Sequence, residues 1–228
     1  MDNYKDAMQY IETQEATDIS YVKIGNNSKN LIVCFAGNAH KGFERKTSLM
    51  TLKYERNDFD VLYLRNFIKW YLGGLNGIGK NINHTLAFLK KEFFNYDKVV
   101  CTGISAGGYA SLLFGSLLKV NQVIAIDAQT DLQYCVDSLT NIIGKQNLIK
   151  RSKECPITWS KYNKIINVLN DVVSYNVCYK GSEKCVGDGD DVLHGDYHYN
   201  QIKNFPTVSK FKKRDVILIP LIEEFLEE

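Results

Sequence analysis

Long apolar runs are missing from this chain, and so is any strong excess of charge. No stretch approaches the roughly 20 apolar residues that cross a bilayer as a helix. The N-terminus, Met1-Asp2-Asn3-Tyr4-Lys5-Asp6, lacks the apolar core of a signal peptide, so a soluble, cytoplasmic protein is expected. Lysine and arginine number 28 against 26 aspartates and glutamates, and a net charge of +2 gives no footprint for a nucleic-acid partner. The one basic cluster, Lys210-Phe211-Lys212-Lys213-Arg214, reads as a solvated face. Six cysteines, spread through a mid-sized chain with no secretory signal, do not make a disulfide framework. Cys34 and Cys101 lie inside apolar runs and read as small core residues. Histidine is scarce: there are four, His40, His84, His194 and His198, and none after residue 198. Repeats, linkers and low-complexity segments are also lacking, so residues 1–228 read as one domain.

What is present is an alternation of short apolar runs with helical patterns. Residues 1–18 read as an amphipathic lead-in, and Ser20 to Ile24 alternates as a half-buried strand. Leu31 to Ala36, Val61 to Leu64, Val99 to Thr102, Val120 to Ile126 and Val172 to Tyr179 are continuous apolar runs of the kind buried on both faces. Thr207–Val208 forms the core of a last strand. Helical spacing covers residues 43–55, 82–94, 131–150, 159–170, 196–204 and 216–226, with a loop around Pro156. Alternating strands and helices predict a single-domain α/β fold with a mostly parallel sheet covered by helices on both faces.

The strand at Val99 runs directly into Gly103-Ile104-Ser105-Ala106-Gly107, and a run of small residues and leucines follows at once. Gly-x-Ser-x-Gly between a strand and a helix is a nucleophile elbow. The serine occupies a strained turn that lifts its hydroxyl clear of the backbone. Glycines on both sides let neighbouring chain pass closely. The helix start directs free N–H groups and a positive dipole end toward charge that develops in acyl transfer. A Gly/Ser-rich turn without chemistry is the plain alternative, and the matching context on both sides favours the elbow. Such a serine needs a base to take its proton and an oxyanion hole to hold the tetrahedral intermediate. The backbone N–H of Ala106 is the first expected donor. The second is the N–H of Asn38, in the turn Phe35-Ala36-Gly37-Asn38 after an earlier strand.

These segments, with Leu64-Arg65-Asn66 and Gly77-Ile78-Gly79-Lys80-Asn81-Ile82, resemble the α/β-hydrolase superfamily. More narrowly, they resemble compact bacterial members associated with surface-glycan assembly. The likeness covers about residues 30–130 well and the remainder loosely. It implies a minimal α/β-hydrolase-like fold, a Ser…Asp…His order along the chain, and ester or acyl-transfer chemistry without a cofactor. It also implies an acid after the strand at Val172–Tyr179, where Asp188, Asp190, Asp191 and Asp196 stand, and a histidine after the last strand. The sequence departs here, since only His194 and His198 lie beyond the elbow. The expected triad is therefore Ser105, Asp191 and His198, with His194 as second choice for the base. The opposing possibility is that both histidines are surface residues and the base has been lost.

Three rival constellations are weaker. Gly74 to Asn81 nearly spells a phosphate-binding loop, but Asn81 replaces the required Ser or Thr, and Asn66 to Leu72 intervenes between the strand at Val61–Leu64 and the first glycine. Cys178, Cys185, His194 and His198 have a ligand-like end, yet the cysteines stand further apart than structural zinc sites use. Asp188-Gly189-Asp190-Asp191 lacks calcium-loop spacing. His84 reads as structural or solvent-facing, and His40 as a loop residue. Phe67, Trp70, Tyr71 and Tyr109 are candidates to shape an acyl or sugar pocket, with core packing the alternative for at least half of them. The expectation is a serine carboxylesterase or deacylase that forms an acyl-enzyme on Ser105 and acts on a small-molecule or glycan-linked ester, without cofactor or metal. An acyltransferase of the same fold, or an inactive binding relative, is the alternative.

Overall fold

A computed structural model describes residues 3–25, 28–37, 42–67, 70–138, 142–179, 190–211 and 218–227. In chain order the elements are α1 (Tyr4–Glu15), β1 (Tyr21–Ile24), β2 (Asn30–Phe35), α2 (Lys46–Arg56), β3 (Phe59–Leu64), α3 (Ile82–Phe93), β4 (Lys98–Ile104) and α4 (Ala106–Leu118). Then come β5 (Gln122–Ile126), α5 (Leu132–Ser138), α6 (Ile142–Glu154), α7 (Pro156–Tyr162), a 3-10 turn at Ile165–Asn167, β6 (Ser174–Cys178), α8 (Asp190–Ile202), β7 (Val208–Phe211) and α9 (Leu218–Glu227).

The strands form one sheet in the order β1-β3-β2-β4-β5-β6-β7, with β1 antiparallel to β3 and every other pair parallel. Two apolar layers sandwich it. One holds α1, α2 and α9, and the other is built around α3, α4 and the segments from α5 to α8. The inner strands are buried on both faces, which is why they read as unbroken apolar runs. Helix α4 is buried from Ala106 through Ser116, so its whole circumference is apolar or small rather than one stripe.

Chain direction sets where a crevice forms at the sheet edge. From β2 the chain moves outward to β3, whereas from β4 it moves the other way to β5. The carboxyl ends of β2 and β4 therefore flank a topological switch point, where open α/β sheets form their crevice. The register brings Leu64, Phe35, Gly103, Ala125 and Val177 into one row. Ser105 lies just beyond that row, at the carboxyl edge.

Local chemistry shifted several boundaries. Pro156 was expected in a loop between helices; it stands instead at the first turn of α7, where its missing N–H would have had no partner. The 131–150 pattern is divided between α5 and α6. Helix α8 starts at Asp190, six residues before the expected 196, so Asp190 and Asp191 stand in its first turn. Among the described residues no helix is long and apolar enough to cross a membrane.

One buried cation ties the edge together. Arg65 follows β3 and is 1% exposed. Its guanidinium donates to the carbonyls of Gln14, Glu15, Thr17 and Ile19 at 2.9–3.1 Å, which holds the C-terminal end of α1. The rings of Phe43 and Phe67 each lie 4.7 Å from its guanidinium carbon. Burial lowers its pKa, yet the planar fork still serves four carbonyls that lysine could not reach together. Arg65→Met is expected to destabilise the protein by about 3–5 kcal/mol, because charged hydrogen bonds are lost and buried carbonyls are stranded. Arg65→Lys should recover less than half of that in urea denaturation.

Candidate active site

Ser105 has φ 54° and ψ −119°, a conformation a non-glycine residue adopts only under constraint, at a cost of order 1–3 kcal/mol. Its N–H bonds the Ile126 carbonyl at 2.9 Å, and its own carbonyl accepts from the Tyr109 N–H at 2.9 Å. The turn is thus fixed to β5 on one side and to α4 on the other. The residue is partly exposed.

The glycines around it are required by space. A Cβ on Gly103 would stand 2.7 Å from the Phe35 carbonyl oxygen and would also strike Gly107. On Gly107 it would overlap the same Phe35 oxygen and lie 2.8 Å from its carbonyl carbon. A Cβ on Gly108 would come within 2.8 Å of the Ala128 methyl. These contacts, not turn flexibility, are why the motif is glycine-rich here.

Ala106 opens α4, so its N–H has no intrahelical acceptor and lies directly after the serine. On the other side of the switch point, Gly37 sits against the elbow: a Cβ there would be 3.0 Å from the Ile104 carbonyl. Asn38, expected to give the second donor, lies outside the described residues, as does His40.

Among the described residues the hydrogen bonds of the His198 ring lead to Thr130 and Cys135. Its ring is 1% exposed, and Nδ1 accepts the Thr130 backbone N–H at 3.0 Å and faces the Thr130 hydroxyl at 3.1 Å. That hydroxyl donates to the His198 carbonyl at 3.0 Å. Nε2 lies 3.6 Å from the Cys135 sulfur. A neutral imidazole that accepts at Nδ1 carries its proton on Nε2, the reverse of what a triad base needs. Tyr134 and Tyr197, stacked with ring centroids 3.5 Å apart, each meet the imidazole edge-on. Burial, with Asp131 adding to it, pushes the Cys135 thiol up, so this sulfur stays protonated. The Tyr197 hydroxyl donates to Asp131 at 3.1 Å and is pushed up to about 12, by burial first and that carboxylate second.

His194 stands one turn nearer the N-terminus of α8, with Asp191 three residues before it. Their side chains lie outside those described, as do Asp188 and Cys185 altogether. Among the described residues the partner of the Ser105 hydroxyl is Gln129, whose Nε2 donates to Oγ at 3.3 Å. No motif in the sequence marks Gln129, which stands three residues after the end of β5 and two after Asp127. Asp127 itself has φ 44° and follows β5, the strand paired with the one that leads to the serine. Burial first, then Asp127 and two cysteines, push the Tyr179 hydroxyl well up.

Of the aromatic candidates, Tyr71 and Tyr109 are fully buried, with hydroxyls donating to the Ala36 and Tyr162 carbonyls at 2.7 and 2.9 Å; they are core. Trp70 packs edge-on against Tyr109 at 6.1 Å, and Phe67 is exposed. The 74–81 segment folds as a tight hairpin in which Leu75 and Gly79 bond each other, and Asn81 caps α3 through the N–H groups of Asn83 and His84. Amides spent internally cannot cradle phosphate, so this loop is structural. His84 is exposed beside Gly79. Cys178 is buried in β6, and no group of three or more potential metal ligands occurs among the described residues.

No protein-family profile matches the sequence, and no curated protein is similar to it at a significant level. Solved structures do share the fold. The capsule O-acetyltransferase of Neisseria meningitidis serogroup A superposes with a TM-score of 0.57 at 9% identity, covering 91% of this chain and 90% of that one. Esterase B of Lactobacillus rhamnosis gives 0.56 at 10% identity, covering 92% and 80%. A substrate-bound, fluorophosphonate-binding serine hydrolase of Staphylococcus aureus gives 0.55 at 13%, covering 92% and 98%. The chain thus shares the α/β fold of these esterases and serine hydrolases.

Proposed function

We propose that the protein is a serine acyl hydrolase that cleaves carboxylic esters through an acyl-enzyme on Ser105. The observation that carries this is the strained, partly exposed serine at the start of a buried helix, at the switch point of the sheet. A turn of this kind is costly to hold, and such strain clusters at active sites.

In the reaction, Oγ bonds the acyl carbon as its proton passes to an imidazole, and the carbonyl oxygen becomes an oxyanion. The Ala106 N–H and the Asn38 N–H receive that charge. The intermediate then collapses, the ester C–O bond breaks, and the leaving alcohol takes the proton from the imidazolium. Water repeats the sequence to release the acid. We assign the base to His194, because His198 is committed to Thr130, and the orienting carboxylate to Asp191. Asp127, at the strained end of β5, is the second carboxylate to test. The similarity to a capsule O-acetyltransferase supports transfer to a glycan hydroxyl as the companion reading, in which a sugar replaces water in the second step.

A fluorophosphonate probe tests the assignment. The wild type should label stoichiometrically and Ser105→Ala should not label. Equal labelling of the two, or none of the folded wild type, removes the nucleophile.

A further inference from the structure

The side chain that touches the nucleophile is only half used. Gln129 spends Nε2 on the Ser105 hydroxyl, while its Oε1 is buried and has no hydrogen-bond partner. Turning the carboxamide by 180° would exchange the two atoms and still leave one on the serine and one unpaired. The orientation with Nε2 on Oγ is the productive one, because the serine proton must stay available to the base.

The glutamine is held from both sides. Before it, Asp127 N–H bonds the Cys178 carbonyl at 2.7 Å, and the Ala128 carbonyl accepts the Tyr179 hydroxyl at 2.9 Å. After it, the Thr130 N–H is bound by His198, and the Thr130 carbonyl accepts the Ile165 N–H at 2.8 Å. Four bonds on three neighbours set one side chain beside the nucleophile. The buried histidine thereby acquires a role: it positions the Gln129 segment. An orphaned buried acceptor in so fixed a place is a standing cost that an incoming donor would relieve.

The donor's place in the substrate follows from the sheet. Gly37, just after β2, lies against the elbow on one side, while α8, which carries both candidate bases, follows β6 on the other side of β5. The leaving oxygen must meet the base, so the alcohol half of the ester lies on the Gln129 side. The last torsion of glutamine is broad, which lets Oε1 tilt toward a ligand without a change of rotamer.

From this, and resting on the hydrolase reading above, we infer that Gln129 is a specificity residue whose Oε1 accepts a hydrogen bond from a hydroxyl on the carbon adjacent to the one that bears the ester oxygen. The substrate class is an acyl ester of a polyol or sugar with a free vicinal hydroxyl, not a simple alkyl ester.

Ethylene glycol monoacetate and n-propyl acetate differ only by hydroxyl for methyl at that position. The wild type should favour the glycol ester in kcat/KM by roughly ten- to hundredfold, because rejecting the analogue leaves a buried acceptor unpaired. Gln129→Met should reduce that ratio to within about threefold of unity. Gln129→Glu, which keeps the acceptor, should retain part of it. A wild-type ratio near one, or a ratio unchanged in Gln129→Met, overturns the inference while leaving the hydrolase standing. No turnover of either ester together with no fluorophosphonate labelling would overturn both. The wild-type ratio alone decides should the methionine variant not fold.

Discussion

His194→Ala is expected to abolish ester turnover while leaving the melting temperature nearly unchanged, and His198→Ala to do the opposite. Removing a triad base costs about 10³–10⁶ in kcat, since the serine proton then has no acceptor. His194 lies in the second turn of α8, the helix that follows β6. His198 is a buried acceptor for the Thr130 N–H, enclosed by Tyr134, Tyr197 and Cys135. Alanine there strands a buried donor and opens a cavity, for roughly 2–4 kcal/mol. In a chain of this size each kcal/mol shifts the midpoint by about 2–4 °C, so a fall of about 4–16 °C is expected. Parallel kcat and thermal measurements on the two variants decide the matter. Were His198→Ala to lose turnover at full stability while His194→Ala kept its activity, the base assignment would be reversed.

Gly107→Ala supplies the second large effect, and its sign runs against helix propensity. Glycine to alanine inside an exposed helix gains about 1 kcal/mol. At position 107 the new methyl meets the Phe35 carbonyl at the end of β2, a central strand hydrogen-bonded on both edges. Neither backbone can withdraw without breaking the sheet register beside the serine. A loss of about 4 kcal/mol or more is expected, beyond the usual range for a single substitution. Gly77→Ala serves as the contrast. It has φ 79° but only the Tyr21 ring, at 3.9 Å, near the added carbon, so about 1 kcal/mol is expected there. Chemical denaturation of the pair separates steric exclusion from backbone strain; similar losses would mean that contact with β2 is not the reason for Gly107.

Those two variants also mark how far the sequence could be read. The elbow was legible because its requirements are local: a strand, a fixed glycine spacing and a helix of small residues all fall within about twenty positions. Strands β2 to β5 were legible because burial on both faces writes an unbroken apolar run. Gln129 was not, since nothing near it in sequence says that it will face a hydroxyl on the neighbouring strand's turn. The orientation of His198 depends on Thr130 and Cys135, more than sixty residues away, and on the roll of a helix whose start was placed six residues late. Pro156 was misread for a simpler reason: proline marks a helix start as readily as a break, and only the flanking backbone distinguishes the two.

The all-round burial of α4 bears on how such an enzyme could change its diet over evolutionary time. A nucleophile bolted to a helix with no free face, threaded past two strands at glycine-only clearances, has almost no room to drift. New substrates would have to be met by rewriting the rim: the connections leaving β2, β3, β5 and β6. Relatives with very different appetites should therefore superpose tightly on the serine and diverge in what surrounds it.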